Sequence, residues 1–279
     1  MHHTARAGST EADPIFVFQP QTLARQWVLL HVGDHEPWPD AQRAARLRRA
    51  TGATDDDEAL AQALQEGWCD YHSGRFASAH ARGAAQGLAG AGLTLRAGWA
   101  QAHYVLDGAE ARRAWLKGLL PLAQCLRETL ADEPNSHLHH ARLLAELLAT
   151  QEAHAHADTA AVQSQHQALL QALQLMPRHG EAQLQLGMFH ALVTARMGAL
   201  SAHLGCATST TAAEHHLELA RRLLPTQPRA WLETARALEM LSGRRRAAAV
   251  AEALRRAIKQ TARDAAAALD IAQARAWMH

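Results

Sequence analysis

The sequence predicts an all-α protein built from consecutive helices that are joined by short turns. Hydrophobic residues make up 48% of the 279 residues and are mostly Ala and Leu, whereas the aromatic residues that favour strands make up 5%. Segments rich in Pro, Gly, Asn and Ser interrupt the apolar runs, among them "DEPNS", "MPRHG" and "PTQP". Because these turns are short, neighbouring helices are expected to run antiparallel.

Each predicted helix carries an apolar stripe with helical spacing and ends near a breaker. Asp55, Asp56 and Asp57 precede an apolar run and are expected to cap the helix that begins at 57. Pro121 should kink or split its helix. Later stripes are Leu143, Leu144, Leu147, Leu148; Leu184, Met188, Ala191, Leu192, Ala195; and Ala213, Leu217, Ala220, Leu224. The predicted helices are 20–31, 57–73, 76–88, 93–106, 109–131, 137–153, 159–175, 180–200, 210–223, 229–241, 245–259 and 262–278.

The overall charge does not indicate a class of binding partner. Lys and Arg together number 28 against 27 acidic residues, so neither nucleic acid nor an anionic membrane is expected as a partner. The cysteines Cys69, Cys125 and Cys206 are three in number and widely spaced, which argues against a disulfide framework. The N-terminal residues lack the apolar core of a signal peptide, and no apolar run approaches the roughly 18 residues of a membrane helix. We therefore expect a cytoplasmic protein without membrane insertion.

A repeat is visible around three prolines. Pro134, Pro177 and Pro225 stand 43 and 48 residues apart, and each is interpreted as the end of one helix. The residues ten positions later are Leu144, Gly187 and Ala235. Small residues at this position would let the next helix approach its neighbour, as in stacked helical hairpins that share a continuous core.

One segment carries a more specific pattern. In "EGWCDYHSGRFASAH" (66–80), Gly67, Gly74, Phe76 and Ala79 have the spacing of a small residue, a turn glycine, an aromatic residue and an alanine. This pattern resembles the tetratricopeptide repeat family. The segment "MFHALVTARMGALSAHLGCATSTTAAEHHLELARRLLP" is similar to a divergent group akin to the T component of TRAP transporters and regulators of microtubule dynamics.

The resemblance implies an α-solenoid of antiparallel helical hairpins in a right-handed superhelical array. Residues 1–56 would form an N-terminal helical extension packed on the array, and residues 57–279 the repeat domain with a C-terminal capping helix that ends near Trp277. The function implied is non-catalytic binding of a protein or peptide on the concave face, without a cofactor.

The repeat register, carried over from the family, also implies which residues line the concave groove. They are Trp68, Tyr71 and His72 in the first repeat, Ala145 and Leu148 in the second, Met188 and Leu192 in the third, and Arg236 and Glu239 in the fourth. Such a groove would be apolar at one end and charged at the other, which suits a peptide with apolar anchors. The alternative is that Trp68, Met188 and Leu192 fill the hairpin core.

Histidine is unusually frequent, with 19 copies that cluster at "HLHH" (137–140), "HAHAD" (154–158) and "HH" (215–216). His154 and Asp158 share a helix face and are minor candidates for a metal site, but no cluster places three ligands on one face. We interpret the clusters as surface histidines that titrate near neutrality. The alternative function is an accessory protein that binds a metal at these clusters or a small molecule in an interior cavity.

Other candidate features have ordinary structural interpretations. Cys69 and His72 could touch on a helix, but no third orienting group is apparent, so a buried structural cysteine is favoured over a nucleophile. No phosphate-binding loop, zinc-protease motif or nucleophile elbow occurs, so an enzyme is not expected. The basic runs at 43–49 and 243–256 lack interleaved aromatics and are interpreted as solvated faces. The small residues Gly198, Ala199, Ala202, Gly205 and Ala207 allow close helix packing or an apolar cavity.

Overall fold

The computed structural model describes residues 16–54, 56–150, 158–197, 206–242 and 246–278, and within these ranges it is helical without any strand. The all-α prediction is therefore confirmed. The helices are α1 (Pro20–Leu30), α2 (Ala41–Thr51), α3 (Asp57–His72), α4 (Phe76–Ala85), α5 (Ala91–Ala100), α6 (Ala109–Thr129), α7 (Pro134–Ala149), α8 (Thr159–Leu175), α9 (Gly180–Met197), α10 (Thr210–Leu223), α11 (Pro228–Ser242), α12 (Ala247–Ile258) and α13 (Ala265–Met278). A 3₁₀ turn, Gly87–Gly90, precedes α5, and a π-helical turn, Gln101–Val105, follows it.

Side-chain caps fix several helix starts. Asp56 accepts a hydrogen bond from the backbone N–H of Ala59 at 2.9 Å, so the acidic cap predicted for α3 is confirmed for this residue. Asp158 caps α8 in the same way, and Ser209 caps α10. A capping oxygen satisfies a backbone donor that the helix leaves free, which is why these starts were readable from the sequence. Both α8 and α10 have the predicted bounds.

One expectation about the prolines was wrong, and a second is narrowed. Pro134 does not close a helix but occupies the first position of α7, where its missing N–H leaves no intrahelical bond unmade. Pro177 and Pro225 do lie in the turns that precede α9 and α11. The helix that contains Pro121 is not split, because α6 runs from Ala109 to Thr129 without interruption, and a kink at this residue stays a prediction.

Helix α2 was not predicted, because residues 43–49 were interpreted only as a basic run. Asp40 caps its start by accepting from the N–H of Arg43 at 2.8 Å, and Gly52 ends it in a left-handed conformation with φ 72°. Ala44 and Leu47 are buried, and Arg43 pairs with Glu133 at the start of α7. Three arginines of this run, Arg43, Arg46 and Arg48, therefore form ion pairs.

Helix packing follows a regular alternation. Each odd-numbered helix from α3 to α11 contacts the even-numbered helix that follows it and also the next odd-numbered helix. The odd-numbered helices thus form a continuous row, and α13 at its end also contacts α3 at its beginning. Helices α1 and α2 pack on α3, and Leu23, Trp27 and Leu47 belong to the same apolar cluster as the core of α3 to α6. The predicted domain boundary at residue 56 stays a prediction.

The small residues of the repeat lie at close helix contacts, as predicted. A Cβ atom added to Gly187 would lie 2.8 Å from Leu217 Cγ on α10, and one added to Gly67 would lie 2.4 Å from Leu93 on α5. Gly74 has φ 85° in the turn between α3 and α4, a conformation that side chains rarely adopt. Among the described helices, none is both long enough and apolar enough to span a bilayer.

Candidate binding cleft

The first part of the predicted groove lies inside the protein. Trp68, Tyr71 and His72 are 4%, 3% and 1% exposed, so their assignment to an open groove was wrong. Trp68 is in edge contact with Trp27 of α1 and with Tyr71, with ring centroids 5.3 and 5.4 Å apart. The reason is that α1 and α2 cover α3, a contact that the repeat register alone cannot anticipate.

The remaining predicted residues come together with one exception. Ala145 of α7, Met188 and Leu192 of α9, and Arg236 and Glu239 of α11 line one cleft with a volume of about 490 Å³. Leu148 is 4% exposed and belongs to an apolar core cluster instead. We call this space the Trp99 cleft, because Trp99 of α5 also lines it. Helices α8 and α13 complete the walls through Gln165 and Gln273.

The floor of the Trp99 cleft is an aromatic ring covered by cations. The guanidinium carbon of Arg229 lies 4.2 Å from the centroid of the Trp99 ring, and that of Arg142 lies 5.3 Å from it. The ring of His103 stacks on Trp99 with centroids 4.7 Å apart. Cations over an aromatic face are attracted by the ring quadrupole, so this stack fixes both arginines. None of these residues was selected from the sequence.

Most cations of the cleft have a carboxylate partner, but Arg112, which also lines the cleft, donates to the backbone oxygen of Gly108 at 3.4 Å. Arg142 binds Glu181, and Arg229 lies 3.5 Å from a carboxylate oxygen of Glu233. Arg236 donates to the same carboxylate at 2.8 Å and to the Gln273 side chain at 2.7 Å. His103 Nδ1 lies 3.2 Å from a carboxylate oxygen of Glu146. The cleft is therefore strongly polar at its floor, where the arginines are paired with carboxylates.

Burial and ion pairing compete at these groups. Burial opposes the ionisation of Glu233, but Arg236 and Arg229 outweigh it and lower the pKa of this carboxyl group. Behind the cleft, burial raises the pKa of Asp270 to about 6, although Arg229 and a 2.9 Å hydrogen bond from the Tyr104 hydroxyl act against this rise. The two carboxyl groups thus differ because two arginines lie close to Glu233.

Four buried polar atoms of the cleft walls have no hydrogen-bond partner among the described residues. They are Nε of Arg142, Nε of Arg229, Nε2 of His103 and Oε1 of Gln165. Arg142 and Gln165 are 4% and 2% exposed. Since a buried polar group is normally hydrogen-bonded, these atoms are suited to hold a polar ligand group. Periodicity could not reveal them, because they come from four separate segments of the chain.

The histidine cluster at 137–140 differs from its interpretation as surface groups, whereas His215 is exposed and residues 154–157 lie outside the described residues. His137, His139 and His140 are all buried within α7, because α6, α8 and α5 pack around this helix. Burial, assisted by Arg142 and Arg96, lowers the pKa of His139 to about 3. His216 stacks on His190 with centroids 5.4 Å apart and an interplanar angle of 5°. The histidines of α7 are therefore packing groups whose burial favours the neutral form.

The geometry of the described residues does not support a metal site or a cysteine nucleophile. Within the described ranges, no group of three or more His, Cys, Asp or Glu residues is arranged to hold a metal ion. Asp158 caps α8, whereas its predicted partner His154 lies outside the described residues. Cys69 is buried, and burial raises the pKa of its thiol to about 11, which disfavours the reactive thiolate.

Most of the small-residue segment also lies outside the residues that the structure describes. Gly198, Ala199, Ala202 and Gly205 are not among the described residues, so the choice between close packing and a cavity stays a prediction there.

Comparison of the whole chain with protein-family models gives no match, and comparison with curated proteins gives none either.

Proposed function

We propose that this chain is a non-catalytic, tetratricopeptide-like α-solenoid with right-handed superhelical packing that binds a protein or peptide partner in the Trp99 cleft. The observation that carries this proposal is that five of the residues expected to face the groove line one cleft across α7, α9 and α11. The alternation of odd-numbered and even-numbered helices supports the solenoid arrangement, since each hairpin contacts its neighbours along one continuous row.

The surface chemistry of the cleft suits a short peptide segment. The cleft has flexible and apolar side chains, which are Met188, Leu192 and Met240. It also has charged side chains, among them Arg236 and Glu239. Methionine adapts to differently shaped ligands, and apolar anchors beside polar groups are typical of peptide grooves. A volume of about 490 Å³ holds a few side chains, so we expect the partner to insert a short segment.

A small-molecule ligand is the second candidate, and the cleft volume favours it. Sites for small ligands commonly measure ~300–1,000 Å³ and combine apolar walls with a few polar groups. The Trp99 cleft meets both criteria. Catalysis is not part of either proposal, because the cleft brings together no nucleophile with a general base.

The proposal is tested by selecting random peptides on the purified protein and measuring their affinity for two matched variants. Leu192→Arg places a charge in the cleft, whereas Val28→Arg changes a residue of α1 that is 79% exposed and distant from it. We expect selected peptides to bind Leu192→Arg at least about tenfold more weakly and Val28→Arg with unchanged affinity. Selection that yields no peptide, or peptides equally sensitive to both variants, would count against peptide binding in the cleft.

A further inference from the structure

We propose that the floor of the Trp99 cleft binds neutral amide groups of the ligand, the main-chain amides of an extended peptide, and not a carboxylate. This inference rests on the proposed function and specifies the chemistry of that same site. It depends on the unpartnered atoms of the cleft, on the charges around them and on the apolar rim next to them.

The unpartnered atoms call for both kinds of hydrogen-bond partner. The Nε atoms of Arg142 and Arg229 carry hydrogens and can only donate, while Oε1 of Gln165 accepts. His103 Nδ1 lies beside the Glu146 carboxylate, which requires a donor. In the neutral ring this places the hydrogen on Nδ1, so Nε2 is left as an acceptor. The cleft therefore offers two donors and two acceptors.

A peptide amide matches this set and a carboxylate does not. An ionised carboxylate only accepts hydrogen bonds, so it would leave Gln165 Oε1 and His103 Nε2 unsatisfied. A main-chain segment presents carbonyl oxygens to the guanidinium N–H groups and amide N–H groups to the two acceptors. Leaving a buried acceptor without a partner is unfavourable, so the ligand that satisfies all four atoms is preferred.

The charges of the site also favour a neutral group. Arg142 already binds Glu181, and Arg229 and Arg236 share Glu233. Glu146 lies beside His103, with 3.2 Å between a carboxylate oxygen and Nδ1. An additional carboxylate on the floor would lie among these anions, next to arginines that are already paired, and like charges at close range disfavour each other. A neutral dipole meets no such repulsion.

The apolar rim fixes how the segment would lie. Met188, Leu192 and Met240 lie on α9 and α11, beside the polar floor. An extended segment that places main-chain amides on the floor would rest a neighbouring side chain on these residues, because successive side chains point to opposite sides of an extended strand. The expected ligand is an uncharged segment with a bulky apolar side chain next to the bound amides.

Two pools of random decapeptides without Asp and Glu test this inference on the intact chain. One pool is capped as the N-acetyl C-amide, and the other has a free C-terminal carboxylate. We expect the protein to retain the capped pool as well as the free one. Retention of the free pool alone would overturn the inference while leaving peptide binding intact, whereas retention of neither pool would overturn the proposed function itself.

A peptide isolated from the capped pool then allows a test on each side of the contact. Replacing its main-chain amides one at a time by esters removes single N–H donors without changing the protein, and we expect one replacement to weaken binding about tenfold. Gln165→Met should weaken binding similarly, whereas Gln167→Met, at an exposed position of the same helix, should not. Unchanged affinity for every ester analogue would overturn the inference even if Gln165→Met fails to fold.

Discussion

The Nδ1 atom of His72 lies 2.8 Å from a carboxylate oxygen of Asp264, although the two residues are 192 positions apart in the chain. His72 Nε2 lies 3.2 Å from His31 Nε2, and His31 Nδ1 lies 2.9 Å from Asp34. All four residues are buried. This row of side chains joins the segment after α1, the end of α3 and the segment before α13, so it links the two ends of the helix array.

Loss of the Asp264 carboxylate should therefore destabilise the whole protein. Asp264 also caps α13 by accepting from the N–H of Ala267 at 2.8 Å. We expect Asp264→Ala to lower the free energy of unfolding by about 3 kcal/mol, since it leaves the buried and neutral His72 ring without its hydrogen-bond acceptor and also removes the cap of α13. Urea denaturation measures this change. Asp132→Ala is the control, because Asp132 and its partner Arg46 are exposed, and a comparable loss in both variants would contradict the role of the buried row.

Stability should fall as the pH decreases below neutrality. Burial, assisted by Arg142 and Arg96, lowers the pKa of His139 to about 3, and burial lowers that of His179 to about 4. Both histidines are protonated near their ordinary pKa of about 6.5 in the unfolded chain but stay neutral in the folded one. The unfolded state then binds more protons between pH 6.5 and 4, so acid favours unfolding in this window.

The expected size of this effect is about 2 kcal/mol for each of the two histidines between pH 7.5 and pH 5. Unfolding free energies from urea titrations at both pH values measure it. Replacement of His139 by Gln should make the remaining pH dependence shallower. A protein that is equally stable or more stable at pH 5 would show that these histidines are protonated in the folded state.

Trp68→Ala should destabilise the protein and should not act on partner binding alone. The side chain is 4% exposed and contacts Trp27 and Tyr71, so its removal leaves a large cavity in the core under α1. Truncations of buried tryptophans cost about 3–5 kcal/mol. Thermal unfolding followed by circular dichroism measures the loss. An unchanged melting temperature would restore Trp68 to the groove where the repeat register had placed it.

Two helical glycines provide a matched test of close packing. A Cβ on Gly187 would lie 3.0 Å from the backbone nitrogen of Leu217, whereas a Cβ on Gly118 would have no neighbouring atom within 4 Å. Alanine is about 1 kcal/mol more favourable than glycine in a helix, so Gly118→Ala should stabilise the protein. In Gly187→Ala the contact with backbone outweighs this gain, because rotating a side chain cannot relieve it. Equal effects of the two substitutions on urea denaturation would contradict a close helix contact at Gly187.

The sequence predicted most helices because their signals are local. Thr159–Leu175 and Thr210–Leu223 begin next to a capping residue and carry an apolar stripe, so their bounds were predicted correctly. Helix α2 was not predicted, because most of its residues are polar and only Ala44 and Leu47 form a short apolar stripe. The cap at Asp40 and the glycine at position 52 were the signals that could have identified it.

The site was predictable only where it follows the repeat. Met188, Leu192 and Arg236 were placed in the groove by their register on successive hairpins, and they line one cleft. Trp99 and Arg229 were not predicted, because their contact joins residues far apart in the chain and leaves no periodic signal. Similarly, the burial of Trp68 depends on Trp27, which belongs to a helix outside the repeat.

Methyl NMR of methionine during titration with a selected capped peptide tests ligand binding in the Trp99 cleft most directly. Met188 and Met240 line the cleft, whereas Met176 and Met278 lie outside it and serve as internal controls. We expect the methyl signals of Met188 and Met240 to shift in a saturable manner while those of Met176 and Met278 stay in place. Saturable shifts confined to Met176 or Met278, with Met188 and Met240 unchanged, would contradict binding in this cleft.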